Sequence, residues 1–273
     1  MSKILSRMEL FLSKTHLNII KTFYVNFRLL SLRNAVKFPI YVYGKCNICN
    51  LSGSVIINGD ISRGMIKLGF RQGFFTAPSF GGMLLIEEEG AIIFEGPCAF
   101  DYNYSIRITG KGRLHIGKGI GFGSDTKIYC EKYIKIGNYC RIPYGSTFMD
   151  TNYHYSVDTV NGTICRKEGD IIIGDYNWIG NTTTIMKGTK TSEGCIIASK
   201  SHLNKDYIKL GEGKTCLVIG GAPASILKEN NTRVHSYELE AELNKWFKNN
   251  PNSKKYESPE LLKKLIELQP YLR

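Results

Sequence analysis

Apolar residues recur at intervals of six along this chain from about residue 40 onward. The clearest series consists of Ile173, Ile179, Ile185, Thr191, Ile197 and Leu203. A second series consists of Ile116, Phe122, Ile128 and, after a shift of two residues, Ile136, Ile142 and Phe148. Weaker copies lie upstream, at Leu68, Ile86, Ile92, Cys98 and Tyr104. An α-helix repeats every 3.6 residues and a strand every two, so neither element alone produces this period.

A sustained period of six predicts short strands separated by bends. Three such strands close one coil of about 18 residues, and stacked coils bury each apolar residue of the series inside a prism. Small or polar side chains stand four residues after the apolar ones, at Asn177, Thr183, Thr189, Cys195 and Ser201. We therefore predict a mainly β chain that forms a parallel β-helix of hexapeptide repeats. Residues 40–222 would supply about nine or ten coils, a prism ~45 Å long at ~4.8 Å per coil.

The segments outside the repeat define the predicted domains. Residues 1–36 form a basic amphipathic helical segment, residues 37–228 form the β-helix domain, and residues 229–273 form a helical tail. Within the β-helix domain the repeat stops at residues 150–170, which are polar. A loop extruded from a rigid coil is a natural place for a functional site.

Helix caps support the helical tail. Ser236 can cap a helix whose first turn holds Glu238 and Glu240, and Asn249-Asn250-Pro251 would end it. Ser258 followed by a proline predicts the start of a second helix.

The N-terminal segment carries a basic residue at every seventh position, namely Arg7, Lys14, Lys21 and Arg28, among apolar residues. This spacing predicts one or two basic amphipathic helices. Their apolar face would pack on the main domain or on a sister subunit, or it would contact an anionic membrane surface. The pattern leaves both alternatives open.

The net charge of +12 indicates an anionic partner, which could be nucleic acid, a membrane face or a phosphorylated small molecule. Seven of the basic residues against one acid lie in residues 1–37, without stacking aromatics on a sheet face, so we expect no nucleic-acid binding. No apolar run approaches the roughly 18 to 20 residues of a membrane span, and no secretory leader pattern is present. We expect a cytoplasmic protein, at the inner membrane surface if residues 1–36 bind lipid.

Longer motifs identify a known family. The run IIIGDYNWIGNTTTIMKG at 171–188, continued by GCIIASKSHLNKD and closed by GGAPASILK at 220–228, resembles the hexapeptide-repeat acyltransferases. FMDTNYH at 148–154 is similar to an Asp-x-x-x-His signature of the sugar O-acetyltransferases of capsule, exopolysaccharide and lipopolysaccharide synthesis. The resemblance implies a left-handed β-helix, an exception to the usual hand of β crossovers. It also implies a homotrimer that binds acetyl-CoA in clefts between neighbouring prisms.

Acetyl transfer to a sugar hydroxyl needs a general base, since an alcohol is nearly un-ionised at neutral pH. The resemblance places His154 at the catalytic position. The other histidines, His16, His115, His202 and His235, are expected to be structural. They lack the close pairing of a zinc site, and Cys46-x-x-Cys49 has no second cysteine pair, so we expect no metal.

A base histidine is normally oriented by an acceptor on its second ring nitrogen. Asp150 fits the signature for this role, and Asp158 is the alternative. By resemblance, the Trp178 indole lies near the thioester, where its N–H or a backbone N–H would hold the oxyanion. Cys140 and Cys195 fall at inward positions and are expected to be buried, not nucleophilic.

The resemblance also implies which residues bind acetyl-CoA. Gly180, Ala198 and Ser199 are small residues against which the pantetheine arm can lie, and Lys187, Lys205 and Lys228 supply cations for the phosphates. The sequence thus predicts an acetyl-CoA-dependent sugar O-acetyltransferase that transfers directly in a ternary complex. The alternatives are an N-acyltransferase acting on a nucleotide-linked amino sugar and a non-catalytic β-helical assembly module.

Overall fold

The computed structural model describes residues 16–71, 81–258, 260 and 263. The predicted helix positions at Arg7 and Lys14, and most of the helix predicted from Ser258, lie outside these described residues.

Short strands dominate the described chain and assemble into three sheets. Sheet 1 contains β1 (Ile40–Val42), β4 (Ile66–Leu68), β7 (Cys98–Phe100), β10 (Ile120–Phe122), β13 (Arg141–Ile142), β16 (Trp178–Ile179), β19 (Ile196–Ile197), β21 (Val218–Gly221) and β22 (Ala224–Lys228). Sheet 2 contains β2 (Cys46–Leu51), β5 (Gly82–Ile86), β8 (Ser105–Ile108), β11 (Lys127–Cys130), β14 (Thr147–Met149), β17 (Thr184–Met186) and β20 (His202–Leu203). Sheet 3 contains β3 (Ser54–Ile57), β6 (Ala91–Phe94), β9 (Arg113–Ile116), β12 (Tyr133–Ile136), β15 (Ile171–Ile173) and β18 (Lys190–Thr191).

Every third strand along the chain returns to the same sheet, and neighbours within each sheet are parallel except for the final pair, β21 and β22. The chain is therefore a three-sided parallel β-helix, and the predicted fold class is confirmed. The apolar residues of both six-residue series point inward and are at most 3% exposed. The residues four positions further along the first series are buried as well, and these include the thiol of Cys195.

The prism has fewer coils than the nine or ten predicted, because eight parallel strands stack in sheet 1 among the described residues. Coil length is the reason. In sheet 3 the paired residues Ile173 and Thr191 lie 18 positions apart in the sequence. The spacing is 20 for Ile116 paired with Ile136, and 22 for Phe94 paired with Ile116. Early coils carry extra corner residues, which also explains why the six-residue period fades toward the N-terminus.

Helix α1 (Ile19–Leu29) closes the N-terminal end of the prism. Its buried Asn26 side chain donates to the Ile40 carbonyl at 2.7 Å and accepts from the Ile40 amide at 3.1 Å. The Thr22 hydroxyl accepts from the Val42 amide at 3.0 Å. These side chains satisfy the open edge of β1, which would otherwise offer unpaired backbone groups to another strand. The short helix α2 (Leu32–Ala35) follows.

The C-terminal end is closed differently. Strand β22 folds back antiparallel onto β21, and the Tyr207 hydroxyl, in helix α3 (Tyr207–Leu210), donates to the Ala224 carbonyl at 3.2 Å. Helix α4 (Tyr237–Asn249) then begins at Ser236, whose side chain accepts from the Leu239 amide at 3.2 Å, so this predicted cap is confirmed. No helix in the described ranges has the length and apolar composition needed to cross a bilayer.

Candidate functional site

The predicted extruded loop is an ordered hairpin between β14 and β15. Its two arms pair in antiparallel fashion at Thr151 with Glu168 and at Val157 with Ile164. The Asp158 carboxylate caps the turn at the tip by accepting from the Val160 amide at 2.9 Å. Asp158 is therefore engaged in the turn, and its role as the alternative partner of the histidine remains a prediction.

His154 lies on the first arm of this hairpin and is exposed to solvent. The preceding residue, Tyr153, adopts a positive φ of 59°, which turns the chain where the arm leaves the coil. An exposed imidazole on an ordered hairpin is accessible to a substrate hydroxyl. The role of His154 as the base remains a prediction.

Asp150 is fully buried at the base of the hairpin. Its Oδ1 accepts from the Glu131 amide at 2.8 Å, and its Oδ2 accepts from the amides of Lys132 and Tyr133 at 2.9 and 2.8 Å. Burial raises the pKa of Asp150, while the amide hydrogen bonds act in the opposite direction. No hydrogen bond found among the described residues joins Asp150 to His154, so an orienting role for this carboxylate remains a prediction.

An ion pair and a lysine hydrogen bond fasten the second arm of the hairpin to the coil. The Lys167 ammonium pairs with Glu131, and the Lys187 ammonium donates to the Arg166 carbonyl at 2.5 Å. Burial acts to raise the pKa of Glu131, but the hydrogen bonds from Lys167 and Thr151 outweigh it and lower that pKa. The hairpin is thus anchored by charge as well as by strand pairing.

An arginine that the sequence did not single out lies beside the base of the hairpin. Arg107 on β8 sits 5.9 Å from the ring centre of Tyr129, and its Nε is buried without a hydrogen-bond partner among the described residues. Burial raises the pKa of Tyr153, and the charge of Arg107 opposes that shift. Arg107 therefore lies close to the arm that carries His154. Its place on an outward-facing strand position gave no sequence signal.

Trp178 lies on a different side of the prism, on the outer face of sheet 1. Its indole is 43% exposed and lies 5.6 Å from the Arg233 guanidinium. Arg141 is its neighbour on the adjacent coil, and Tyr144 and Tyr237 also line the cleft of about 480 Å³ around it. Within one chain, the structure attaches His154 and Trp178 to different sides of the coil.

The sheet 1 cleft is completed by the segment that precedes α4. His235 Nε2 lies 3.0 Å from the Tyr176 carbonyl, and Arg233 pairs with Glu240 at 3.2 Å. Burial, with the charges of Arg233 and Arg141, lowers the pKa of His235 to about 4, so this ring is neutral at physiological pH. His235 thus connects the tail to the coil, and the structural role expected for it stays a prediction.

The small residues proposed for acetyl-CoA lie at one corner of the prism. The Gly180 amide donates to the carbonyl of Ile197, the residue directly before Ala198. Gly180 and Ala198 therefore occupy the same corner on successive coils. A Cβ on Gly180 would lie 2.4 Å from the Ser199 amide nitrogen, so only glycine fits here. On the next coil Gly220 occupies the same corner, but it is buried beside the Leu227 side chain. The corner formed by Gly180 and Ala198 offers a surface that an extended chain can follow.

The predicted phosphate-binding lysines lie elsewhere. Lys187 and Lys205 occupy the opposite edge of sheet 2 from the Gly180 corner, since each follows the end of a sheet 2 strand. Lys205 Nζ lies 3.5 Å from the Ala224 carbonyl, and Lys228 Nζ donates to Asn231 at 3.1 Å. Lys187 therefore lies across sheet 2 from the Gly180 corner, whereas Lys228 ends a sheet 1 strand. Their binding roles remain predictions.

The sequence was compared with known proteins. No protein-family model matches the chain. It is 36% identical over 64 residues to a chloramphenicol acetyltransferase of Morganella morganii, covering 23% of this chain and 28% of that protein. It is 28% identical over 114 residues to a chloramphenicol acetyltransferase of Klebsiella aerogenes, covering 36% of this chain and 51% of that protein. The chain spans about half, or less, of the length of these curated relatives.

Solved structures were compared as well. The polySia-specific acetyltransferase NeuO aligns over 80% of this chain and 85% of its own, with 21% identity and a TM-score of 0.48. AntD, an N-acyltransferase from Bacillus cereus solved with dTDP and 3-hydroxybutyryl-CoA, aligns over 83% and 99%, with 14% identity and a TM-score of 0.36. The curated sequence relatives are acetyltransferases, and the chain resembles the hexapeptide-repeat acyltransferases.

Proposed function

We propose that this chain is an acetyl-CoA-dependent O-acetyltransferase that acts on a hydroxyl of a sugar or glycan in surface-polysaccharide biosynthesis. The observation that carries the proposal is the exposed His154 on an ordered hairpin, fastened to a rigid parallel β-helix. The similarity to curated acetyltransferases supports the same reaction class. We place the reaction in the cytoplasm, where all eight cysteines would remain the free thiols observed here.

In the proposed reaction, His154 accepts the proton of the acceptor hydroxyl as its oxygen attacks the acetyl carbonyl of the thioester. A backbone N–H or the Trp178 indole N–H stabilises the oxyanion that forms. The C–S bond then breaks, the acetyl group stays on the sugar oxygen, and CoA leaves as a thiolate that is protonated. We propose direct transfer without an acyl-enzyme; Cys140 and Cys195 are buried, and burial raises the pKa of Cys140 to about 12, which disfavours these thiols as nucleophiles.

The corner formed by Gly180 and Ala198 fits the pantetheine arm, since these two half-buried residues present no side chain larger than a methyl group. Ser199 lies exposed beside it and can offer a hydroxyl. For the phosphates of CoA we propose Lys187, Lys205 and Lys228.

A second step of the proposal concerns assembly. His154 and Trp178 are attached to different sides of one prism, yet both must lie near the thioester if the Trp178 indole holds the oxyanion. We propose that the chain forms a homotrimer in which the hairpin of one copy faces sheet 1 of the next. Closed cyclic symmetry would then build three equivalent sites.

Calorimetric titration of acetyl-CoA and of free CoA tests the donor without knowledge of the acceptor. We expect binding at one site per chain. Product identification after an acceptor screen then distinguishes an ester from the amide that an N-acyltransferase would form. A folded oligomer that binds neither acetyl-CoA nor CoA would favour the non-catalytic assembly module.

The His154→Ala variant tests the base. We expect acetyl-CoA binding to persist and transfer to fall by about 10² to 10⁴, the usual contribution of a general base. The matched control is His115→Ala, because His115 lies on sheet 3, paired with Glu95 at 4.0 Å. If both variants transferred acetyl groups at the rate of the unmodified protein, His154 would not be the base.

A further inference from the structure

We infer that the N-terminal end of the prism is a docking surface for an anionic lipid membrane. The surface is the outer face of α1 together with the start and end of α2, and the proposed reaction does not use it. It consists of the exposed residues Ile19, Ile20, Phe23, Tyr24, Leu32 and Val36, which we call the terminal patch.

Helix α1 has two apolar faces where a helix at the end of a domain needs only one. The inner face, through Val25 and Leu29, packs on the core. On the outer face, Ile19 is 75% exposed and Ile20 is 82% exposed. Residues three and four apart on a helix share a face, so the apolar outer positions form one continuous stripe.

The outer stripe continues into aromatic residues. Phe23 stacks on Phe27 with ring centres 4.3 Å apart, and Tyr24, half exposed, lies beside them. Leu32, 70% exposed, extends the patch onto α2. Single exposed apolar residues are normal on a protein surface, but a contiguous group marks an interaction site.

Charge decides which partner fits. The sequence has no Asp or Glu between Glu9 and Asp60, so the charged side chains that α1 and α2 themselves carry are all basic. Arg28, Arg33 and Lys37 are exposed around the terminal patch. A second copy that docked patch to patch would bring the same positive charge against it, whereas anionic lipid headgroups would complement it.

The geometry also matches a lipid interface. A helix that lies on a membrane immerses an apolar face rich in aromatic and aliphatic residues and keeps Lys and Arg at the headgroups. Here the inner face of α1 is already held by hydrogen bonds to β1, in which Asn26 donates to the Ile40 carbonyl and Thr22 accepts from the Val42 amide. The outer face can therefore enter a bilayer surface without detaching the helix from the prism.

Co-sedimentation of the full chain with vesicles tests the inference. We expect binding to phosphatidylglycerol-containing vesicles at low salt, weaker binding at high salt because salt screens surface charge, and little binding to pure phosphatidylcholine. Ile20→Glu and Arg28→Glu should each weaken binding about tenfold, as a charge in the immersed face or a reversed charge at the headgroups opposes insertion. Circular dichroism would verify that both variants fold.

Matched controls are Leu210→Glu, which places the same charge on an exposed apolar residue of α3, and Lys248→Glu, which reverses a charge at the end of α4. Both should bind vesicles as the unmodified chain does. Hydrogen exchange with and without vesicles locates the contact, and we expect new protection at the terminal patch.

Three results would overturn the inference. The first is no binding to anionic vesicles at low salt. The second is a change of oligomeric state in Ile20→Glu, which would make the patch an interface between copies. The third is a particular exchange pattern in the absence of lipid: the patch and residues 1–15 are both protected, and Ile20→Glu abolishes the protection of both. The patch would then be a binding surface for the chain's own N-terminus.

Discussion

At Asp150 both carboxylate oxygens are occupied by backbone amides of residues 131–133. An asparagine has nearly the same volume, but it turns one of these acceptors into an NH₂ group that faces N–H donors. We expect Asp150→Asn to lower the free energy of unfolding by about 2–3 kcal/mol, because buried donors then lose a charged acceptor. Urea denaturation measures this change.

Asp158→Asn is the matched control, since Asp158 caps an exposed turn and its replacement should change stability little. The two variants also test the orienting role that the sequence suggested for Asp150. Asp150→Asn could unfold at the same urea concentration as the unmodified chain and still transfer acetyl groups poorly. The carboxylate would then orient His154 and would not stabilise the base of the hairpin.

At the scale of the elements, the corner at Gly180 depends on glycine. The Cβ of an alanine at Gly180 would lie 2.4 Å from the backbone nitrogen of Ser199, which cannot move without shifting a neighbouring coil. We expect Gly180→Ala to destabilise the fold by about 1–3 kcal/mol, the usual cost of overpacking. It should also weaken acetyl-CoA binding if the corner holds the pantetheine arm.

Gly169→Ala is the control, because its Cβ would meet its nearest neighbours at 3.6 Å, an ordinary contact distance. Thermal unfolding and calorimetry on both variants separate the two effects. A Gly180→Ala variant as stable as Gly169→Ala would mean that the corner is looser than the structure indicates.

The sequence predicts the C-terminal coils better than the N-terminal ones, because the length of the coils differs along the chain. Coils of 18 residues place one apolar residue at every sixth position, and so the interior of the C-terminal coils could be predicted residue by residue. The hairpin at 150–170 could be located because it interrupts the period. Its insertion, however, hid the pairing of Arg141 with Trp178, which lie 37 positions apart on adjacent coils. Arg233 reaches the same cleft from the tail, and no periodicity predicts such a contact.

At the scale of the whole molecule, the division of site residues between two sides of the prism makes a specific prediction about assembly. His154→Ala and Trp178→Ala should each transfer poorly when produced alone. If the site lies between copies, co-expression of the two variants generates some interfaces that join an intact hairpin to an intact sheet 1 face. Random mixing in a closed ring restores about one quarter of all sites, and about one site in three in a trimer that contains both variants.

The measurement is acetyl transfer by mixed oligomers purified through two different tags, compared with each variant alone. A mixed ring recovers activity only when the hairpin and Trp178 of one site come from different copies. Mixed oligomers as inactive as the single variants would place each site within one chain. The Trp178 indole would then belong to the sheet 1 cleft of its own prism, with Arg141, Arg233 and Tyr237. It would not contact a thioester positioned by the histidine of a neighbouring copy.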